Sequence, residues 1–126
     1  MRSRCPRGAA VVDFVLVLAV LVPVFLGILQ LALVLLVRNT LAAAASEGAR
    51  YAATLDREPA DGLSRTRTQI EGALAAKFAE DVDAHEVLVE GAPGVEVTVH
   101  AVVPALGIGG PAIELTVTGH AVEESR

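Results

Sequence analysis

The sequence predicts an α+β protein whose long N-terminal transmembrane helix continues outside the membrane. We expect an amphipathic helix packed on a small three-stranded antiparallel sheet to follow it. Three observations support this: one long apolar run, a later stretch with helical periodicity, and a final stretch of alternating apolar and polar residues. The predicted segments are a basic cytoplasmic leader (1–8), a transmembrane and extended helix (9–55) and an exported α+β domain (56–126).

The apolar run covers residues 14–37, holds no charge and is interrupted only by Gln30. Its 24 residues would form a helix of about 36 Å, and the hydrocarbon core of a bilayer is about 30 Å thick. A buried helix in a soluble protein is the alternative. It fits poorly because the chain has no second apolar helix, no Trp and few strands to cover it. We therefore expect a single-pass protein of the cell membrane.

The charges are distributed asymmetrically about this run. Three of the ten basic residues precede it, and all of the 15 acidic residues except Asp13 follow it. By the positive-inside rule, the N-terminus is predicted to be cytoplasmic and the C-terminal domain extracytoplasmic. The acidic domain and an aromatic content of 3% argue against a nucleic-acid partner.

The start of the run resembles the type IV prepilin signal, in which a membrane peptidase cuts after a glycine and an acidic residue follows at the fifth position. Gly8 is at the position of that glycine, and Ala9 would be the first residue after the cut. Asp13 is the acidic residue at the fifth position, and Phe14 follows it. Cleavage after Gly8 would leave the apolar helix in the mature protein, and Asp13 would pair with the new amino group of a neighbouring subunit. Alternatively, Asp13 rests near the lipid headgroups without a role in assembly.

One face of the predicted membrane helix carries its small and polar residues. Asp13, Pro23, Gly27 and Gln30 fall within an arc of about 100°. Such residues on one face of a membrane helix usually mark contact with other helices, which predicts a helix assembly face. The alternative is a monomeric anchor in which Gln30 hydrogen-bonds its own backbone.

The helix is expected to continue beyond the membrane to about Leu55, because the following residues are strong helix formers without proline. Gly48 in this segment predicts a close approach. Residues 43–45 are alternatively a signal-peptidase site, whose cleavage would release a soluble domain. The apolar run is much longer than the apolar region of a secretory signal, which disfavours that alternative.

Together these motifs resemble the TadE/TadG-like family of minor pilins, or pseudopilins, of the tight-adherence (Flp-type) pilus machinery. The resemblance covers residues 7–55. It is carried by RGAAVVDF at 7–14, Pro23, LGI at 26–28 and SEGARYAA at 46–53. The chain has Asp13 where the family usually has Glu, Gln30 where Glu is common, and Ser46 where Arg is usual.

The resemblance implies a pilin-like fold and a role in pilus assembly. The partners that the resemblance implies are other pilin subunits, a prepilin peptidase and a secretion platform. The residues themselves predict the membrane as a partner, and we expect no nucleic acid and no small-molecule substrate. Glu47, Gly48 and Arg50 would form a close-packing segment. The sequence also allows a single-pass, membrane-anchored extracytoplasmic binding domain with no filament role.

Periodicity predicts the elements of the exported domain. A polar turn at 56–62 stops the long helix, and Ser64 is expected to cap an amphipathic helix that reaches about Val82. The apolar stripe of this helix consists of Ile70, Leu74 and Phe78. Alternation predicts strands at 86–90, 95–103 and 113–121, with a turn at 91–94.

The connection 104–111 between the last two strands is apolar for a loop. Leu106 and Ile108 either lie under the sheet or are exposed for a partner or the membrane surface. We favour a position under the sheet, and the role of the loop stays open.

The sequence shows no arrangement typical of catalysis or ligand binding. His85, His100 and His120 invite a metal hypothesis, because His100 and His120 are expected on the polar side of neighbouring strands. No cysteine or paired carboxylate joins them at the spacing of metal ligands. We expect a protein with no enzymatic activity, no cofactor and no metal.

Overall fold

A computed structural model describes residues 6–54, 56–106 and 112–125 of the chain. In chain order its elements are α1 (Pro6–Ala52), α2 (Pro59–Ala73), a 3₁₀ turn (Ala76–Ala79), β1 (Asp81–Val89), β2 (Ala92–Val103) and β3 (Ile113–Val122). The long apolar helix, the second helix and the three-stranded antiparallel sheet confirm the predicted α+β fold.

Helix α1 has 47 residues and is therefore about 70 Å long. Leu and Ala, which are strong helix formers, make up much of it, and Pro23 lies inside it. Its buried residues begin at Val37, and the helix before that point is largely exposed. The helix ends at Ala52, close to the predicted end near Leu55.

Helix α2 begins earlier than predicted. Glu58 is its N-cap and Pro59 its first residue, and the Glu58 backbone N–H donates to Asp61 Oδ2 at 2.9 Å. A proline at the first helical position and an acidic residue that reaches back to the N-cap both favour a helix start at this point. The prediction that Ser64 is the N-cap is therefore wrong.

Helix α2 also ends earlier than predicted, at Ala73, because Leu74 has extended backbone angles (φ −132°, ψ −176°). Gly72, which has a low helix propensity, immediately precedes this end. Phe78 consequently lies on the 3₁₀ turn, although it and Ile70 both belong to the buried core. The predicted apolar stripe is thus divided between two elements.

The strands form an antiparallel sheet in the order β1-β2-β3. Val99 of β2 is paired with Val82 on one side and Val117 on the other, and all three side chains are buried. The helices cover this face of the sheet, and the opposite face carries mostly polar side chains. This arrangement agrees with the predicted alternation.

The first hairpin is tighter than predicted. Its turn consists of Glu90 and Gly91, whose φ angles of 52° and 85° lie in the left-handed region. Two such residues in succession make the two-residue turn that matches the twist of paired strands. As a result Pro93 and Gly94 belong to β2 rather than to a turn. At its other end, β1 begins at Asp81, earlier than predicted.

The second half of α1 and helix α2 together cover the apolar face of the sheet. The buried core includes Leu41 and Ala45 of α1 and Ile70 of α2. The backbone of Gly119 in β3 lies directly against that of Ala45, where a side chain would not fit. The core therefore uses residues on both sides of the segment boundary at 55/56, and that boundary stays a prediction.

Residues 43–45, the alternative signal-peptidase site, lie inside α1. Ala44 and Ala45 are buried in the core. Cleavage here would separate Val37 and Leu41 from the core that they help to form. This placement argues against a peptidase site, because the released domain would lose part of its own interior.

Candidate functional site

The first half of α1 extends away from the rest of the protein. We call residues 6–29 the bare helix segment, because all of them are exposed except the half-buried Leu26. The most apolar 18-residue window of α1 is only 6% buried, whereas the core helix of a soluble protein is mostly buried. Among the described residues, α1 is the one helix long and apolar enough to cross a membrane, which suggests membrane anchoring.

The predicted processing residues lie in the first turns of the bare helix segment. Gly8, Ala9, Asp13 and Phe14 are all exposed, and a Cβ added to Gly8 would meet nothing within 4 Å. Asp13 follows Ala9 by four residues, so the two lie on the same side of the helix. The peptide bond after Gly8 is therefore accessible, and its cleavage stays a prediction.

The predicted assembly face is divided by the structure. Asp13, Pro23 and Gly27 are exposed on the bare helix segment, and a Cβ on Gly27 would meet nothing within 4 Å. Gln30 instead contacts the start of the apolar loop in the same chain. Its Nε2 donates to the Pro104 carbonyl at 3.3 Å, and the Leu106 N–H donates to its Oε1 at 2.6 Å.

The partners of Gln30 were not identified from the sequence, because 74 and 76 residues separate them from it. Two features of the sequence are consistent with a contact between Gln30 and this loop. Gln30 is the one polar residue in the apolar run 14–37, and the loop 104–111 is unusually apolar. Leu106 is 40% exposed and is not buried under the sheet. Ile108, the other residue of that prediction, lies outside the described residues.

The predicted close-packing segment lies where α1 crosses α2. A Cβ on Gly48 would lie 2.7 Å from the Gly62 carbonyl oxygen and closer still to Thr66 Oγ1. Thr66 Oγ1 is buried, 2.8 Å from the Gly62 carbonyl oxygen and 3.3 Å from that of Ala44. The close approach at Gly48 is thus made within one chain. Gly62 and Thr66, four residues apart on α2, are the partners that the sequence analysis missed.

The charged residues of this segment lie at its surface. Glu47 Oε1 is 4.0 Å from Arg65, and both side chains are about half exposed. The guanidinium groups of Arg65 and Arg57 lie over the Tyr51 ring, at 5.6 and 3.8 Å from its centroid. Arg50 is exposed. These contacts connect α1 to α2 and to the turn between them.

The polar face of the sheet carries the three histidines. His85 lies 3.4 Å from both Asp83 and Glu96, and His100 Nδ1 lies 2.9 Å from Thr116 Oγ1. His120 pairs with Glu96 in the strand register, four residues along β2 from His100. About 13 Å of strand therefore separates His100 from His120, so they do not meet. Residues 6–54, 56–106 and 112–125 hold no cluster of three or more His, Cys, Asp or Glu placed to bind a metal.

The comparisons with known proteins add one finding. No curated protein and no solved structure matches the chain. Residues 8–50 match the family model described as TadE-like protein. The matched residues include nearly all of the bare helix segment and the part of α1 that packs on the sheet and α2. The match confirms, over residues 8–50, the resemblance of this chain to the TadE/TadG-like family.

Proposed function

We propose that this protein is a minor pilin or pseudopilin-like component of a tight-adherence (Flp-type) pilus assembly or secretion system. It is a structural component rather than an enzyme. One observation carries the proposal: the family match at 8–50 falls on a helix whose first half is apolar and bare and whose second half is built into a folded unit. Such a helix serves as an anchor in lipid and as a packing surface among other helices.

The bare helix segment is stored in the bilayer, where lipid covers its Leu, Val, Ile and Phe side chains. Lipid chains are as apolar as these side chains, so helix association in the membrane depends on close packing and on polar contacts. Gly27 allows a close backbone approach because nothing occupies the space beside it. Asp13 supplies a polar contact near the start of the helix.

Cleavage after Gly8 would create a charged amino group on Ala9. Asp13 is one helical turn away on the same side, and both residues are exposed to a neighbouring helix. A carboxylate in an apolar environment is costly unless it is paired. We therefore assign Asp13 the role of pairing with the amino group of an adjacent subunit, which would fix the register between the two helices.

The proposed orientation places the basic leader in the cytoplasm and the α/β unit outside the membrane, as the distribution of Arg residues favours. Partners would be other pilin subunits, a prepilin peptidase and a secretion platform. The alternative function, a membrane-anchored binding domain with no filament role, would use the same anchor without cleavage and without a helix partner.

The mass of the mature N-terminus in native membranes tests the processing step. We expect a chain that begins at Ala9, and we expect Gly8→Leu to leave the leader attached. An intact N-terminus at Met1 would exclude cleavage and favour the anchored binding domain. A chain that begins near Ser46 would show release of a soluble unit instead.

Cysteine cross-linking tests the assembly step. Cys5, the one cysteine of the chain, is first replaced by Ser. Gly27→Cys on the assembly face is compared with Phe25→Cys, which is also exposed but lies about 160° away around the helix. We expect cross-links to other pilin subunits from position 27 and far fewer from position 25. Equal yields at both positions would contradict a specific assembly face.

A further inference from the structure

The start of the loop that follows β2, residues 104–106, lies beside the apolar part of α1. Gln30 uses both its amide nitrogen and its amide oxygen to hold this loop, through the Pro104 carbonyl and the Leu106 N–H. The two contacts fix the position of residues 104–106 along α1 at the level of Gln30. The start of the loop is therefore level with a residue inside the apolar run 14–37.

The height of Gln30 can be compared with the thickness of a bilayer. Gln30 is the seventeenth residue after Asp13, the last charge before the run, so the two are 17 helical steps apart. These steps span about 26 Å of helix, which is less than the thickness of the hydrocarbon core of a bilayer, about 30 Å. If Asp13 lies at one boundary of the hydrocarbon core, Gln30 still lies inside the opposite boundary.

The point along α1 at which its side chains begin to pack against the folded unit also indicates where this opposite boundary lies. A helix that starts at Asp13 completes about 30 Å near residue 33. Leu33 and Val34 are the first pair of successive residues that pack against the core of the folded unit. On the other side of the helix, Leu35 and Leu36 are still 46% and 59% exposed. These side chains remain without protein cover at the height where the folded unit begins.

The chemistry of the loop fits the same environment. Pro104 and Leu106 are exposed, and the sequence from 101 to 113 holds no charge. The next charge along the chain is Glu114, whose partner in the strand register is Val102, two residues back along β2 from Pro104. The exposed apolar side chains lie nearer to the bare helix segment, and the carboxylate of Glu114 lies farther from it. This order suits the boundary between lipid and water.

We infer that the edge of the folded unit formed by Pro104 and Leu106, held by Gln30, rests in the surface of the lipid bilayer. The inference depends on the proposed membrane insertion of α1. It assigns Pro104 and Leu106 a lipid partner and assigns Gln30 the role of holding these two residues at the correct depth. The α/β unit then contacts the membrane at two places, α1 and residues 104–106, which restricts its tilt relative to the bilayer.

Fluorescence quenching in vesicles of phosphatidylcholine and phosphatidylglycerol tests the inference with the full-length chain. A Cys5→Ser background receives one environment-sensitive fluorophore at Leu106→Cys, Leu88→Cys or Val20→Cys. Leu88 is 77% exposed and pairs with Pro93, so about 33 Å of β2 separates its level from Val103 beside the loop. Val20 is 68% exposed near the middle of the bare helix segment.

We expect nitroxide lipids labelled near the headgroup to quench position 106 several-fold more strongly than position 88, and iodide in the water to quench position 88 more strongly. Nitroxides deep in the acyl chains should quench position 20 most. If position 106 behaves like position 88 while position 20 is quenched by lipid, the inference is wrong and membrane insertion stands. If iodide quenches position 20 as well, the proposed insertion itself fails.

A third result separates lipid from protein as the cover of Leu106. Protection of position 106 from iodide without quenching by nitroxide lipids would mean that a second copy of the chain covers it. Repeating the measurement after dilution with lipid reveals this, because protection by a neighbouring copy decreases as the copies separate. Either sign of protein cover overturns the assignment to lipid.

Discussion

The two halves of α1 belong to one continuous helix but differ in the size of their residues. The bare helix segment carries Leu, Val, Ile and Phe on all sides. The packed half, residues 37–52, buries mainly alanine together with Gly48. Large apolar side chains suit a fluid solvent such as lipid, which adapts to any shape. Small residues are needed where a fixed backbone, such as that of α2 or β3, approaches closely.

The comparison predicts that the same substitution has a large effect on stability in the packed half and almost none in the bare helix segment. Leu41→Ala should lower the free energy of unfolding by about 2–5 kcal/mol, because Leu41 is 0% exposed and a cavity would remain. Leu21→Ala should have almost no effect on it. Amide hydrogen exchange of Val97 and Val99 in detergent micelles measures both. Similar losses of unfolding free energy for the two variants would contradict the proposed difference between the two halves of α1.

The glycines provide a second matched pair. Gly48→Ala should destabilise the folded unit by about 1–3 kcal/mol, since the new Cβ would meet the Gly62 carbonyl and Thr66. Gly27→Ala places its Cβ in open space and should leave the folded unit as stable as before. The same exchange measurement applies to both. If Gly27→Ala destabilises the folded unit as much as Gly48→Ala, the packing contrast is wrong.

Gln30 lies at the border between the two halves, and its removal should have a smaller, local effect. Gln30→Leu eliminates two hydrogen bonds to the loop, worth about 1–2 kcal/mol together. The Leu106 amide should then exchange about ten-fold faster, as that free energy implies. The Val97 amide in the core should exchange at its original rate. Uniform acceleration at both positions would show that Gln30 stabilises the whole fold instead.

The smallest effect is expected at the surface of the packed half. Glu47→Gln removes the contact with Arg65 between two half-exposed side chains, which should cost less than about 1 kcal/mol. High salt should abolish the difference from the unsubstituted protein, because it screens exposed charges. Glu71→Gln on the exposed side of α2 is the control. A loss that persists in high salt would indicate packing rather than charge.

The sequence predicted the elements well where a long repeating pattern determines them. The uncharged run 14–37 predicted the bare helix segment, and the alternation around Val97 and Val99 predicted the sheet. The start of α2 was misplaced because Pro59 and Asp61 were attributed to a turn, although proline is also common at the first position of a helix.

The contacts of the candidate site could not be predicted from local sequence patterns. The sequence predicts a close approach at both Gly27 and Gly48, but of the two only Gly48 faces another helix of the same chain. That contact depends on how α2 folds back. Gln30 and Leu106 meet because β2 ends beside α1, and no repeat in either stretch encodes this meeting. Pairings of this kind arise from the tertiary fold, so they are found only when the whole chain is assembled.

Because α1 is a single rod of 47 residues, the direction in which the bare half faces also determines the direction in which the sheet points. Successive residues are turned by about 100° around a helix. One residue inserted between Phe14 and Leu29 would therefore swing the polar face of the sheet by more than a quarter turn relative to Asp13. The rotation of α1 about its own axis in the membrane therefore also determines which way the histidine-bearing face of the sheet points.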